Sequence, residues 1–370
     1  MSRILYINTH AAKYGWYFGR RLPEGYRLAA KFWGSGLLDR TGTLYTGFPY
    51  ASLYPIPALP IVASQPESPP LAALCDAEGL RIVAEAEHRN TDTEVLWSGG
   101  IDSTAALVSL IRASAQCDRL RQLEVLLTEE SIKEYPLYFE RVIKFLRHRV
   151  VSPPVTAHVN PARLIVTGEH GDQIFGSAKA AHFVSDGRAF QRYSDTLPII
   201  LAESLGSPQA ADTVMRYLEP LFRTCPIPLR SLFDAFWWIN FSLKWQIVGL
   251  RLAVFRVTGV LRTFHALRHF FSHPSFQLWS LQNHPMKIGQ SWESYKMPLK
   301  DYIFVHTGDE EYRKTKIKVP SLKAVLRSDV QRNNPTYRVL MDEAFIPVFW
   351  PVGTAAVRDS LSFPNRNRGK

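Results

Sequence analysis

The stretch Val95-Leu96-Trp97-Ser98-Gly99-Gly100-Ile101-Asp102-Ser103-Thr104 joins a short apolar strand (Glu94–Trp97) to a glycine-rich turn and the start of a helix. Gly99 and Gly100 let backbone N–H groups approach an anion with no β-carbon in the way. The helix expected from Asp102 or Ser103 turns its free N–H groups and positive dipole end toward the same point. Ser98 and Ser103 add hydroxyl donors, and a diphosphate-sized group fits such a cradle. Asp102 repels that anion unless a cation sits between them, which points to Mg²⁺. A tight turn with an aspartate cap uses the same residue types. The complete S-G-G-x-D-S pattern between a strand and a helix favours phosphate binding. The chain has neither G-x-x-x-x-G-K-[ST] nor G-x-G-x-x-G at this place, so P-loop and dinucleotide readings are not supported.

Outward from this loop, Leu107, Leu110 and Ile111 recur at helical spacing over Ser103–Ser114. A second strand is predicted at Leu123–Leu127 and a helix from Pro136 to Arg147, with Phe139, Val142, Ile143 and Leu146 on one face. A third strand, Arg163–Val166, runs into a turn at Thr167–Gly171. Strands alternating with helices predict an α/β fold, a parallel sheet with helices on both faces and ligands at the carboxyl ends of its strands. The turn belongs to Val166-Thr167-Gly168-Glu169-His170-Gly171-Asp172-Gln173-Ile174-Phe175-Gly176-Ser177. It brings two carboxylates to the sheet edge where the first loop lies. Asp172 and Asp102 can share a Mg²⁺ there, and Glu169 can accept a proton from an attacking amine.

The first motif resembles the PP-loop of the N-type ATP pyrophosphatases, which grips the pyrophosphate of ATP while the α-phosphate is attacked. The second is similar to the S-G-E-G-x-D-E-x-F-G-G-Y signature of asparagine synthetase and its relatives. Gly168, Glu169, Asp172, Phe175 and Gly176 agree; Gln173 replaces an acidic residue, and His170 and Ser177 replace glycines. The resemblance implies an adenine nucleotide alpha hydrolase-like fold and two substrates, ATP and a carboxylate, with the carboxylate activated as an acyl-adenylate. It further implies that Ser98, Gly99, Gly100, Asp102, Ser103 and Gly168 hold the nucleotide, that Asp102 and Asp172 are magnesium ligands, and that Glu169 is the acid/base residue. His170 is expected to be a turn residue.

Two weaker similarities follow. His273-Pro274-Ser275-Phe276-Gln277-Leu278 is similar to an R-x-P-F-L-D segment of the synthetase domain, without its arginine and aspartate. The run Glu311-Tyr312-Arg313-Lys314-Thr315-Lys316-Ile317-Lys318-Val319-Pro320 resembles its R-x-K-Q-G-F-x-x-P segment, whose lysine stabilises negative charge on the reacting group. Spacing to Pro320 makes Lys314 the candidate and Lys316 the alternative, with Lys296 a further candidate for phosphate contact.

The 370 residues carry a net charge of +11, with 46% apolar and 21% charged residues, a balance that excludes disordered, collagen-like and coiled-coil chains. Three separated cysteines exclude a disulfide framework or a cysteine metal site. Residues 1–70 read as a β-rich region with strands at Arg3–Ile7, Tyr26–Phe32 and Thr41–Thr46, ending in a proline-rich linker. Residues 71–345 read as the pyrophosphatase-like domain, mostly helical from about 190, and 346–370 as a tail. No signal peptide is read at the N-terminus. The aromatic stretch Leu232–Leu261 is interrupted by Asp234, Lys244, Arg251 and Arg256, so buried helices rather than a membrane span are expected, in a cytoplasmic protein. Ser2 stands where the glutaminase of such synthetases needs cysteine, so the amine partner is expected to be ammonia or a substrate amine rather than glutamine-derived ammonia made by this chain. The positive charge, with Arg313–Lys318 and the basic tail Arg366, Arg368 and Lys370, keeps a nucleic acid as an alternative partner and adenylation of an RNA base as an alternative reaction. A nucleotide-binding protein without turnover is the non-enzymatic alternative.

Overall fold

In the computed structural model, which describes residues 23–44, 66–254 and 260–318, β1 (Thr93–Leu96) is the middle strand of a parallel sheet. The described strands β2 (Leu123–Leu127), β3 (Arg147–Val150), β4 (Leu164–Thr167) and β5 (Leu267–His269) give the order β3-β2-β1-β4-β5. Val95 pairs with Val125 on one side and Val166 on the other. β2 and β4 are buried along their whole length, so residues of either parity are covered, as in a parallel sheet enclosed on both faces. The order reverses around β1, so the loops after β1 and β4 meet at one switch point.

The described helices are α1 (Glu24–Trp33), α2 (Leu71–His88), α3 (Ile101–Gln116), α4 (Glu129–Glu134), α5 (Pro136–Arg141), α6 (Gly171–Phe175), α7 (Ala181–Val184), α8 (Tyr193–Leu205), α9 (Pro208–Arg223), α10 (Leu232–Leu243), α11 (Trp245–Val254), α12 (Val260–Ala266), α13 (Pro274–Gln282), α14 (Met297–Thr307) and α15 (Glu310–Thr315). α2 and α14 pack on α3. α10 is mostly apolar, and every residue of it except Asp234 is buried. It begins with a capping box in which Ser231 Oγ accepts from the Asp234 N–H, and Asp234 Oδ2 accepts from the Ser231 N–H at 2.8 Å. The aromatic stretch is therefore core, and among the described residues no helix is long and apolar enough to cross a membrane.

Three expectations need correction. Tyr26–Phe32 is helix, not strand: Tyr26, Ala29, Ala30 and Trp33 recur at i, i+3, i+4 and i+7, all buried, and Gly34 ends the helix in the left-handed region. Thr41–Leu44 forms turns around Asp39, whose carboxylate accepts from the N–H groups of Thr41, Thr43 and Leu44. The helix expected to reach Arg147 ends at Arg141. Arg147–Val150 is the edge strand β3, held by Arg149 on Glu94 at 2.8 Å and by Arg147 on Glu124 at 2.9 Å. Arg3–Ile7, the end of the Thr41–Thr46 segment from Tyr45, most of the proline-rich linker, residues 319–345 of the expected domain and the tail 346–370 lie outside the described residues.

Candidate functional site

At the end of β1 the chain turns through Gly99, whose φ of 76° is a left-handed conformation. A β-carbon there would lie 2.6 Å from the Ser131 carbonyl, so both conformation and space require glycine. Gly100 is the N-cap of α3, which begins at Ile101, one residue before Asp102 and two before Ser103, the two expected starts, and puts Asp102 in its first turn. The loop is cross-braced by its serines. Ser103 Oγ accepts from the Ser98 N–H at 3.1 Å, lies 3.0 Å from Ser98 Oγ and donates to the Gly100 carbonyl at 3.1 Å. This leaves a preformed turn at a helix N-terminus, the geometry that receives an anion.

The loop after β4 closes directly onto it. A β-carbon on Gly168 would come within 2.7 Å of the Ser103 nitrogen, and one on Gly171 within 2.4 Å of the Asp102 carboxylate. These two glycines allow the two loops to touch. His170 takes a left-handed φ of 71°. Its ring is buried against Trp245, stacked at 4.2 Å, with Nε2 3.0 Å from the Trp245 carbonyl, so it packs as a turn residue. The Glu169 N–H donates to Thr167 Oγ1 at 3.2 Å. Gln173, which stands where the signature has an acid, is buried and donates to Asn240 Oδ1. The Asn240 amide in turn donates to the carbonyls of Asp172 and Gly176 at 3.0 and 2.6 Å. Asn240 belongs to α10, so the aromatic helix braces this loop from behind.

Asp102 and Asp172 are joined by lysines. Lys296, fully buried and left-handed (φ 60°) at the N-cap of α14, places Nζ 2.7 and 2.6 Å from the Asp102 oxygens and 2.7 Å from Asp172 Oδ1. Lys318 Nζ lies 3.6 Å from Asp102 and 3.5 Å from Asp172. Burial draws the Lys318 ammonium down, but Asp172, Asp102 and Glu169 outweigh it, and its pKa is raised. The Tyr295 phenol is held well above its ordinary value by burial, then by Asp172 and Asp102. Two carboxylates thus face two ammonium groups in a largely dry place, where charge pairing is far stronger than in water.

Ser98, Asp102, Ser103, Gly168, Glu169 and Asp172 line one cavity of about 360 Å³, joined there by Lys318. Neither Lys314 nor Lys316 lines it. Lys314 is exposed on α15 and pairs with Glu310 at 2.7 Å, four residues earlier on the same helix. Lys316 binds the carbonyl and carboxylate of Glu134, beside Gly99. Lys318 is brought inward because the Lys316 carbonyl is held by buried Lys300 and the Lys318 carbonyl by the Trp292 indole at 3.4 Å. The sequence contained Lys318 in the basic run, but nothing local distinguishes it from Lys314. Gln277 accepts from Arg40, which lies over the Phe241 and Trp245 rings, tying the segment after α1 to α13.

Among the described residues no group of three or more His, Cys, Asp or Glu side chains is arranged to hold a metal ion. Both Asp102 oxygens and Asp172 Oδ1 accept from Lys296 Nζ, so each of these carboxylates already carries a positive partner at 2.6–2.7 Å. The cavity continues past the loops to a helical wall, where Trp33, Lys179, Lys244, Val248 and Leu252 reach it. In comparisons with known proteins, no family model and no curated protein matches the chain.

Proposed function

We propose that the protein is an ATP-dependent ligase of adenylating type, with an adenine nucleotide alpha hydrolase-like fold. The observation that carries this reading is the meeting of the Ser98–Ser103 turn, the Gly168–Asp172 turn and Lys318 in one cavity at the carboxyl ends of β1 and β4. The first turn and the N-terminus of α3 grip the β- and γ-phosphates through backbone N–H groups and the two serine hydroxyls. A substrate carboxylate oxygen attacks the α-phosphorus, the bond to the bridging oxygen breaks, and pyrophosphate leaves into this cradle. Lys318 and Lys296 neutralise the charge that builds on the departing group. Magnesium held by Asp102 and Asp172 together with phosphate oxygens would supply further neutralisation of that charge. An amine then attacks the acyl carbon, the bond to AMP breaks, and Glu169 takes the amine's proton.

ATP–pyrophosphate exchange across pools of carboxylic acids, with ATP affinity measured by calorimetry, tests this reading. Substrate-stimulated exchange that disappears in Asp102→Asn is the expected result. Absence of both ATP binding and exchange with every pool sinks the proposal. ATP binding without exchange points instead to a nucleotide-binding protein that does not turn over.

A further inference from the structure

Three lysines line the cavity, Lys179, Lys244 and Lys318. Lys318 faces Asp102 and Asp172. Lys179 is half-buried in the cavity wall and makes no ion pair among the described residues. Its Nζ donates to the Phe32 carbonyl at 2.9 Å and lies 3.9 Å from the Phe32 ring centroid, a neutral carbonyl and a ring face rather than a carboxylate. Burial, with no acid to offset it, lowers its pKa. A half-buried ammonium without a counter-charge is costly, and an anion brought by a ligand removes that cost.

A second, independent observation lies on the adjoining residue. Trp33 is 6% exposed, lines the same cavity, and its indole Nε1–H has no acceptor among the described residues. Its ring is fixed edge-on by Phe32 at 4.5 Å and Phe236 at 6.0 Å, so the unmet donor is held in place rather than free to turn to water. A buried N–H of this kind is normally satisfied. Trp97, Val155, Val248 and Leu252 also line the cavity and give it apolar surface.

We propose that Lys179 and the Trp33 indole form a second anion subsite that receives a carboxylate on an apolar-bodied substrate, separate from the carboxylate that reacts. Lys179 and Trp33 line one cavity and bring it one ammonium and one indole N–H, as many donor groups as a carboxylate has oxygens, whereas the glycine-rich turn offers backbone N–H groups to phosphate. The statement that this substrate is the one activated rests on the reading above; the subsite itself does not. It gives α1 a function, since the helix supplies both Trp33 and the Phe32 carbonyl that seats Lys179.

The test is calorimetric titration of the full chain, with and without ATP, using glutarate, adipate, pimelate and suberate, each against the monocarboxylate of equal length. The subsite is supported when a dicarboxylate binds about tenfold or more tightly than its monocarboxylate, a difference that Lys179→Met abolishes and Lys179→Arg retains, with ATP affinity unchanged. Trp33→Phe, which keeps the ring and removes the N–H, weakens the same dicarboxylate by a smaller factor. Equal binding of both acids at every length, or no binding of either, overturns it. So does an equal loss of ATP affinity in Lys179→Met, which would assign Lys179 to the nucleotide. Lys179-dependent dicarboxylate binding in a protein that binds no ATP would leave the subsite standing and remove the adenylation reading.

Discussion

The Lys296 ammonium lies 2.7 and 2.6 Å from the two oxygens of Asp102, a residue 194 positions earlier in the chain. The contact joins the N-cap of α14 to the first turn of α3, and a third hydrogen bond extends it to Asp172. Lys296 pays for this position with a left-handed backbone, and its N–H is held by the Lys287 carbonyl at 3.0 Å. The pair therefore shapes the site before any ligand arrives.

Lys296→Met leaves two carboxylates facing each other without the ammonium that bonds to both, so it should lower stability by about 3–5 kcal/mol at neutral pH. Urea denaturation of the variant beside the parent protein checks this. An unchanged midpoint would mean that the carboxylates find other partners or water without cost.

Gly171→Ala forces a β-carbon to within 2.4 Å of the Asp102 carboxylate, which Lys296 holds by both oxygens. Overpacking of this kind costs about 1–3 kcal/mol. Separation of the two loops should also abolish substrate-stimulated pyrophosphate exchange. Retention of exchange with a normal ATP affinity would show that the loops need not touch.

Lys318 and Lys314 belong to one basic run, but only Lys318 enters the cavity. Lys318→Ala should reduce exchange by about a hundredfold or more, the scale of losing a positioned charge in a reacting site. Lys314→Ala should change it by no more than about twofold, because an exposed helix ion pair contributes little. Equal losses in the two variants would contradict this geometry.

His284 sits between Asp234 and Lys287, with Nε2 2.8 Å from Asp234 Oδ1 and Nδ1 2.8 Å from Lys287 Nζ. Burial, then Lys287, holds its pKa down at about 4, from 6.5. Between those values the unfolded chain binds the extra proton and the folded one does not, so stability falls as pH drops from 6.5 toward 4. At about 1.4 kcal/mol per unit, this amounts to roughly 3 kcal/mol by the bottom of the window. His284→Gln should flatten that slope in urea midpoints measured at several pH values. A parent protein with constant stability over the window would show that His284 is charged in the fold.

The loop after β1 was legible because everything that defines it is local: apolar residues, two glycines, then Asp102 and Ser103 at a helix start. The same holds for β2, whose Leu123–Leu127 bounds agree with those expected. β3 and β5 were missed because each is a short edge strand with polar or mixed residues, and its partner rather than its pattern makes it extended. α1 is a different kind of miss, since the helical spacing of Tyr26, Ala29, Ala30 and Trp33 was present and read as strand.

By itself, then, the amino-acid order determined an alternating α/β chain with two turns able to meet at a switch point, since backbone conformation and apolar spacing act over a few residues. Which charges face each other there was a tertiary matter. Lys314, Lys316 and Lys318 are chemically alike and two residues apart. The turn after α15, the Lys300 and Trp292 contacts, and the carboxylates of Asp102 and Asp172 select Lys318. The same long-range packing brings α1 to the cavity wall, because Trp33 and Phe32 pack against Phe236 of α10, more than 200 residues away in the chain.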